Sequence, residues 1–176
     1  GQPIWSENVS KISLVSNFDI KDISASPVLS SSNIYSLSSN GKLVSVSAIN
    51  GKRNWAIDLS GYRTPIISGN QIYLINEDGK LICIDKESSE VYWITDLSKY
   101  RKGQKVENLN LWLGPYLINN LLYNISYFGE LKVVSPVTGE ILTSASIGIK
   151  NLLVPPLILN NSIFMTDVNS NVYKFE

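Results

Sequence analysis

The chain has 176 residues, with 15 Lys and Arg against 15 Asp and Glu, no histidine and a single cysteine, Cys83. Zero net charge argues against a general nucleic-acid binder, whose affinity for phosphate backbones comes from excess cations. Without histidine there is no Ser-His-Asp triad, no Cys-His pair and no His-rich zinc site; one cysteine rules out an intrachain disulfide and multi-cysteine metal clusters, and Cys83 reads as a small core side chain.

By length the chain is one domain with a core of its own, needing no disulfide or metal staples. No run approaches eighteen consecutive apolar residues, and Gly1-Gln2-Pro3-Ile4-Trp5 has neither region of a signal peptide. The chain is therefore read as soluble, with any targeting segment outside it.

The sequence repeats. Counting forward from Pro27, Pro65, Pro115 and Pro156, seven steps reach Ile34, Ile72, Leu122 and Ile163, and eight reach Tyr35, Tyr73, Tyr123 and Phe164. Fourteen steps reach Gly41, Gly79, Gly129 and Ser170, and sixteen reach Leu43, Leu81, Leu131 and Val172, all without gaps. Twenty-eight steps reach Trp55, Trp93 and Thr143. A period of this length marks a stacked or circular array.

Taken in chain order, residues 1–9 are predicted to be the last strand of a preceding unit, carrying Trp5. Residues 25–59 form the first full unit, with short β-type runs at Ser26-Pro27-Val28-Leu29, Ile34-Tyr35-Ser36-Leu37, Leu43-Val44-Ser45-Val46 and Asn54-Trp55-Ala56-Ile57. These runs are rich in β-branched and aromatic residues, and turn formers separate them. Asn40-Gly41 and Asn50-Gly51 suit tight hairpins, as does Asp78-Gly79 in the unit at 63–97. An insertion loop at 98–112 lengthens the repeat before the unit at 113–146, and 153–176 supply three strands of a final unit.

Four strands per repeat make a propeller blade, so the fold expected is all-β: a β-propeller of about four four-stranded antiparallel blades. The residues at the seventh and sixteenth steps are assigned to the core, and Trp5, Trp55 and Trp93 to docking one blade on the next.

The succession Gly51-Lys52-Arg53-Asn54-Trp55, Ser26-Pro27-Val28, Ile34-Tyr35 and Gly41-Lys42-Leu43 resembles the pyrroloquinoline-quinone-type β-propeller repeat, over essentially the whole chain. Within that superfamily the chain resembles the BamB-like, non-enzymatic branch. The quinoprotein dehydrogenases usually carry adjacent cysteines and a calcium site, whereas Cys83 stands alone.

The resemblance implies the C-terminal half of an eight-bladed ring, with the fourth strand of the last blade supplied by an N-terminal segment. One strand surplus at the start and one missing at the end lead to the expectation that residues 1–8 complete the last unit, either within one chain as a four-bladed ring or between two chains as an eight-bladed homodimer. It implies a scaffold at the periplasmic face of the bacterial outer membrane, held by a lipid anchor absent from this chain, and not an enzyme. Its partners would be the POTRA domains of the β-barrel assembly protein and unfolded outer membrane proteins; no catalytic residue, cofactor, metal or nucleic acid is expected.

Two loops are candidates for partner contact. In Phe18–Ser24, Asp22 matches the first acid of the branch's Asp-x-Asp-x-x-Pro arrangement, while Ser24 replaces the second. In the insertion, Lys99, Arg101, Lys102 and Lys105 form a basic cluster suited to an acidic partner or lipid head group. Two other readings stay open: a truncated quinoprotein dehydrogenase and a general propeller interaction or sensor domain.

Overall fold

The computed structural model describes residues 1–7, 25–39, 41–98, 109–152, 154–159 and 162–175. All regular structure in these residues is β, arranged in four antiparallel sheets.

The first sheet runs β1 (Val28–Ser30), β2 (Asn33–Leu37), β3 (Leu43–Ser47) and β4 (Arg53–Ile57), each strand beside the next in sequence. The second repeats this order with β5 (Ile66–Ser68), β6 (Gln71–Ile75), β7 (Lys80–Asp85) and β8 (Val91–Asp96). The third uses β9 (Trp112–Ile118), β10 (Leu121–Ser126), β11 (Glu130–Val134) and β12 (Ile141–Ser146). The fourth holds three strands, β13 (Leu157–Leu159), β14 (Ser162–Thr166) and β15 (Val172–Phe175). Successive strands paired by short turns make each sheet an up-and-down meander, the blade of a β-propeller.

The copies agree in detail. Ser45 pairs with Trp55 across β3 and β4, and Val133 pairs with Thr143 across β11 and β12; a bulge follows at the next position in both sheets. Position 143 therefore occupies the place of Trp55.

The turns are matched as well. Between the third and fourth strands of the first three blades, the same two backbone bonds close the turn: Ser47 N to Lys52 O and Gly51 N to Ser47 O, then Asp85 with Glu90 and Ser89, then Ser135 with Glu140 and Gly139.

The contacts divide the chain into two compact units, Gly1–Glu77 with Ile82–Tyr92, and Asp78–Leu81 with Trp93–Glu176. In the first, Tyr35, Leu37 and Leu43 of the first blade pack with Ile72, Leu74, Ile82 and Ile84 of the second in one apolar cluster. Trp55, Ile57 and Leu59 pack against it. In the second unit, Leu113, Ile125, Ile149, Leu152 and Met165 form the core, with Leu131, Ile147, Ile163, Tyr173 and Phe175 around it.

Cys83 is a free, buried thiol in β7. Burial pushes it up to about 11, and pushes the Tyr73 phenol opposite up to about 12, so both stay protonated at neutral pH. A thiol so held is packing rather than a nucleophile.

Not every position assigned to the core lies there. Leu43, Leu81, Ile72 and Leu122 are fully buried, Ile34, Leu131 and Ile163 are half-buried, and Val172 is 71% exposed. Val172 sits on β15, the edge of the three-stranded sheet, where no further strand lies beside it among the described residues. Residues 1–7 carry no strand, although Trp5 is docked in the manner described next.

Candidate functional site

Tryptophan joins one blade to the next by a repeated device. The indole N–H of Trp5 donates to Ala48 O at 3.2 Å, that of Trp55 to Lys86 O at 3.0 Å, and that of Trp93 to Pro136 O at 3.1 Å. Each acceptor opens the turn between the third and fourth strands of a blade, twenty-one residues after the repeat's proline. The indole thus satisfies a turn carbonyl while its ring covers apolar surface, the amphipathic use to which buried Trp is suited.

The turn below the ring must be thin. A Cβ placed on Gly51 would lie 2.7 Å from the Trp5 ring, and one on Gly139 would lie 2.7 Å from the Trp93 ring. Thr95 adds a hydroxyl bond to Gly139 O. In the second blade the matching residue is Ser89, held at φ 63°. Tyr35 reinforces this joint, its ring 5.9 Å from that of Trp55 and its hydroxyl donating to Lys86 O at 3.4 Å.

Two further repeated positions escape a reading that looks for identical residues. Eleven steps after each proline stand Ser38, Asn76, Ser126 and Asp167, and twenty steps after stand Ser47, Asp85 and Ser135. Ser38 Oγ accepts from Lys42 N, Ser126 Oγ from Glu130 N, and Asp167 Oδ1 from Asn169 N and Asn171 N. Ser47, Asp85 and Ser135 accept backbone N–H groups of the following turn in the same way. The signal was a run of short polar acceptors in register, the residues that cap turns through their own side chains.

Asp85 is the strongest of these caps. Its carboxylate accepts from the Tyr92 hydroxyl at 2.6 Å, Asn70 Nδ2 at 2.5 Å, and the backbone of Glu87 and Ser88 at 2.8 and 2.7 Å. Led by the Tyr92 hydroxyl and the Ser88 N–H, these donors pull it down to about 2 despite partial desolvation. A carboxylate lowered on folding stabilises fully above its unfolded value, and that contribution is lost as pH falls through the folded value. Asp85→Asn is therefore expected to flatten the loss of thermal stability between about pH 4 and pH 2. Unfolding scans of variant and parent at pH 5, 3 and 2 check this; identical pH dependence would refute it.

The last interblade space differs from the first. Tyr123, Ile125, Leu131, Ile163, Met165 and Phe175 hold the repeat positions of Tyr35, Leu37, Leu43, Ile72, Leu74 and Ile84. In the first unit those side chains form the cluster on which Trp55 packs. In the second they line an apolar pocket of about 280 Å³, together with Ile118, Asn119 and Ile147. The residue at the Trp55 position is Thr143, and β12 is exposed along its whole length.

The loop residues Asp22, Ser24, Lys99, Arg101, Lys102 and Lys105 lie outside the described residues. Among the described residues, no group of three or more Cys, Asp and Glu side chains is arranged to hold a metal.

Repeated four-stranded meanders joined by Trp-to-turn contacts define a β-propeller repeat protein. Residues 1–95 match the family described as "Outer membrane protein assembly factor BamB", and the chain belongs to that family. Among solved structures, BamB from Moraxella catarrhalis aligns with a TM-score of 0.81 at 18% identity, over 99% of this chain and 49% of that one. The computationally designed Ika4 protein aligns at 0.65 and 11% identity, over 97% and 98%. Quinohemoprotein alcohol dehydrogenase from Comamonas testosteroni aligns at 0.56 and 18%, over 72% and 21%. At these identities the likeness is one of fold, and the chain spans about half the length of the Moraxella protein. A search of curated proteins found no match.

Proposed function

We propose that this chain is part of a non-enzymatic scaffold of the β-barrel assembly machinery, acting at the periplasmic face of the outer membrane. In this reading it binds the POTRA domains of the barrel-assembly protein and helps nascent outer membrane proteins fold and insert. The family match over residues 1–95 carries the proposal. The docking device supports it: Trp5, Trp55 and Trp93 are spent on holding blades together, and Cys83 stays protonated in the core, which leaves loops and pockets for binding.

The loops at Asp22 and at Lys99, Arg101, Lys102 and Lys105 are the contact sites proposed. The test is capture of the full-length protein by immobilised POTRA domains, with Asp22→Lys and with the four cations changed to Glu. Capture by the parent, weakened by either loop change, is the expected result; absence of capture by the parent overturns the scaffold reading, and unchanged capture by both variants overturns the loop assignment.

The fold likeness to a quinohemoprotein alcohol dehydrogenase motivates one alternative, a dehydrogenase propeller. Adding pyrroloquinoline quinone and calcium and following absorbance distinguishes it, since a bound quinone spectrum would favour the enzyme.

A further inference from the structure

We infer that the pocket between the third and fourth blades is a binding site for an indole ring, delivered as the tryptophan side chain of a partner polypeptide. This goes beyond the scaffold reading and holds whether or not POTRA domains bind.

The argument rests on the chain's own template. Between the first two blades, a wall of Tyr35, Leu37, Leu43, Ile72, Leu74 and Ile84 is covered by the Trp55 ring. The same repeat positions build the wall of the pocket, with side chains of similar size and apolarity. Strand register, including the bulge, puts Thr143 where Trp55 stands, so a side chain of three heavy atoms takes the place of the indole on that strand.

Size and chemistry agree. Apolar cavities of about 150 Å³ stay dry and take up benzene, so 280 Å³ suits a bicyclic ring. The lining is dominated by Ile, Leu, Met, Phe and Tyr, which favours an aromatic occupant by burial and by ring and sulfur contacts. Asn119 is the one side chain in the lining with an amide to meet a polar edge.

A polypeptide is the source favoured because the template arrives that way, as a strand residue whose indole points into the gap. Exposed β12, with Ile141 and Leu142 uncovered on the strand that carries Thr143, offers apolar surface for the flanking residues of such a segment.

The test is ligand-observed saturation-transfer NMR on the full chain, with indole and the peptide acetyl-Gly-Gly-Trp-Gly-Gly-amide as probes. Both are expected to bind the parent and to compete. Thr143→Trp, which supplies the ring from within, is expected to reduce binding of both at least tenfold and to raise the melting temperature. Ser144→Trp, on the opposite face of the same strand, should leave binding unchanged. Should Thr143→Trp fail to fold, Thr143→Phe carries the same comparison. Absence of indole binding, or equal binding to parent and Thr143 variants, overturns the site; indole binding without competition by the peptide overturns the polypeptide as its source.

Discussion

Replacement of Trp112 by alanine is expected to destabilise the protein by about 4 kcal/mol, the range for truncating a buried Trp. Trp112 begins β9 and is fully buried. Its indole N–H donates to Ser98 O at 3.1 Å, so it ties the third blade to the residues following β8. Lys132 lies over the ring at 5.4 Å and donates to Leu97 O at 2.8 Å, which makes the ring the cover for a partly desolvated ammonium. Removal leaves a cavity and opens that ammonium to rearrangement. Trp112→Phe keeps most of the ring but loses the donor, so a smaller loss of about 1–2 kcal/mol is expected. Chemical denaturation of both variants measures the difference; equal, small losses would show that Trp112 is not a packing centre.

Gly129→Ala is expected to cost about as much, by a different mechanism. Gly129 has φ 80°, where an L side chain costs about 1–2 kcal/mol. An added Cβ would also collide with the backbone oxygen of Ile149. That oxygen cannot swing aside as a side chain can, because Ile149 belongs to the core of the second unit and Gly129 O accepts from Ile147 N at 2.9 Å. Strain and backbone displacement together give about 4 kcal/mol. The contrast is Ser170, fourteen residues after its proline like Gly129 and held at φ 65°. There relief of strain, about 1–2 kcal/mol, outweighs the added freedom of an unfolded glycine, about 0.4–1 kcal/mol. Ser170→Gly should therefore raise the melting temperature while Gly129→Ala lowers it, and shifts of the same sign would refute the argument.

The β-propeller fold was legible because its cause is arithmetic: strand residues recur at fixed steps from four prolines, and identical residues such as Leu43 and Leu81, or Trp55 and Trp93, are easy to align. Burial was less legible. Val172 shares a register with Leu43, yet it is exposed, because burial depends on what lies beside a strand and not on the strand's own letters. The turn caps escaped because Ser, Asn and Asp interchange there, all supplying an oxygen to a turn N–H, so Asp85 and Asp167 did not look repeated. Trp112 fell at the end of an insertion, where the register offers no counterpart. The pocket was half visible: Thr143 in a tryptophan register is plain in the sequence, but that its walls persist around an unfilled space is a fact of packing.

The joint between blades has a consequence for how such chains lengthen. The first two repeats each carry a donor, the indole on the last strand, and an acceptor, the carbonyl in the turn just before that strand, as with Trp55 and Ala48 in the first blade. Copying one repeat therefore copies both halves of a coupling at once, and a new unit arrives already fitted to its neighbours. Nothing else in the array has to be redesigned, because each coupling reaches only the adjacent repeat. A lineage can change its number of blades in whole steps by duplication alone, and a residue other than Trp in that register, as at Thr143, leaves an individual coupling unmade.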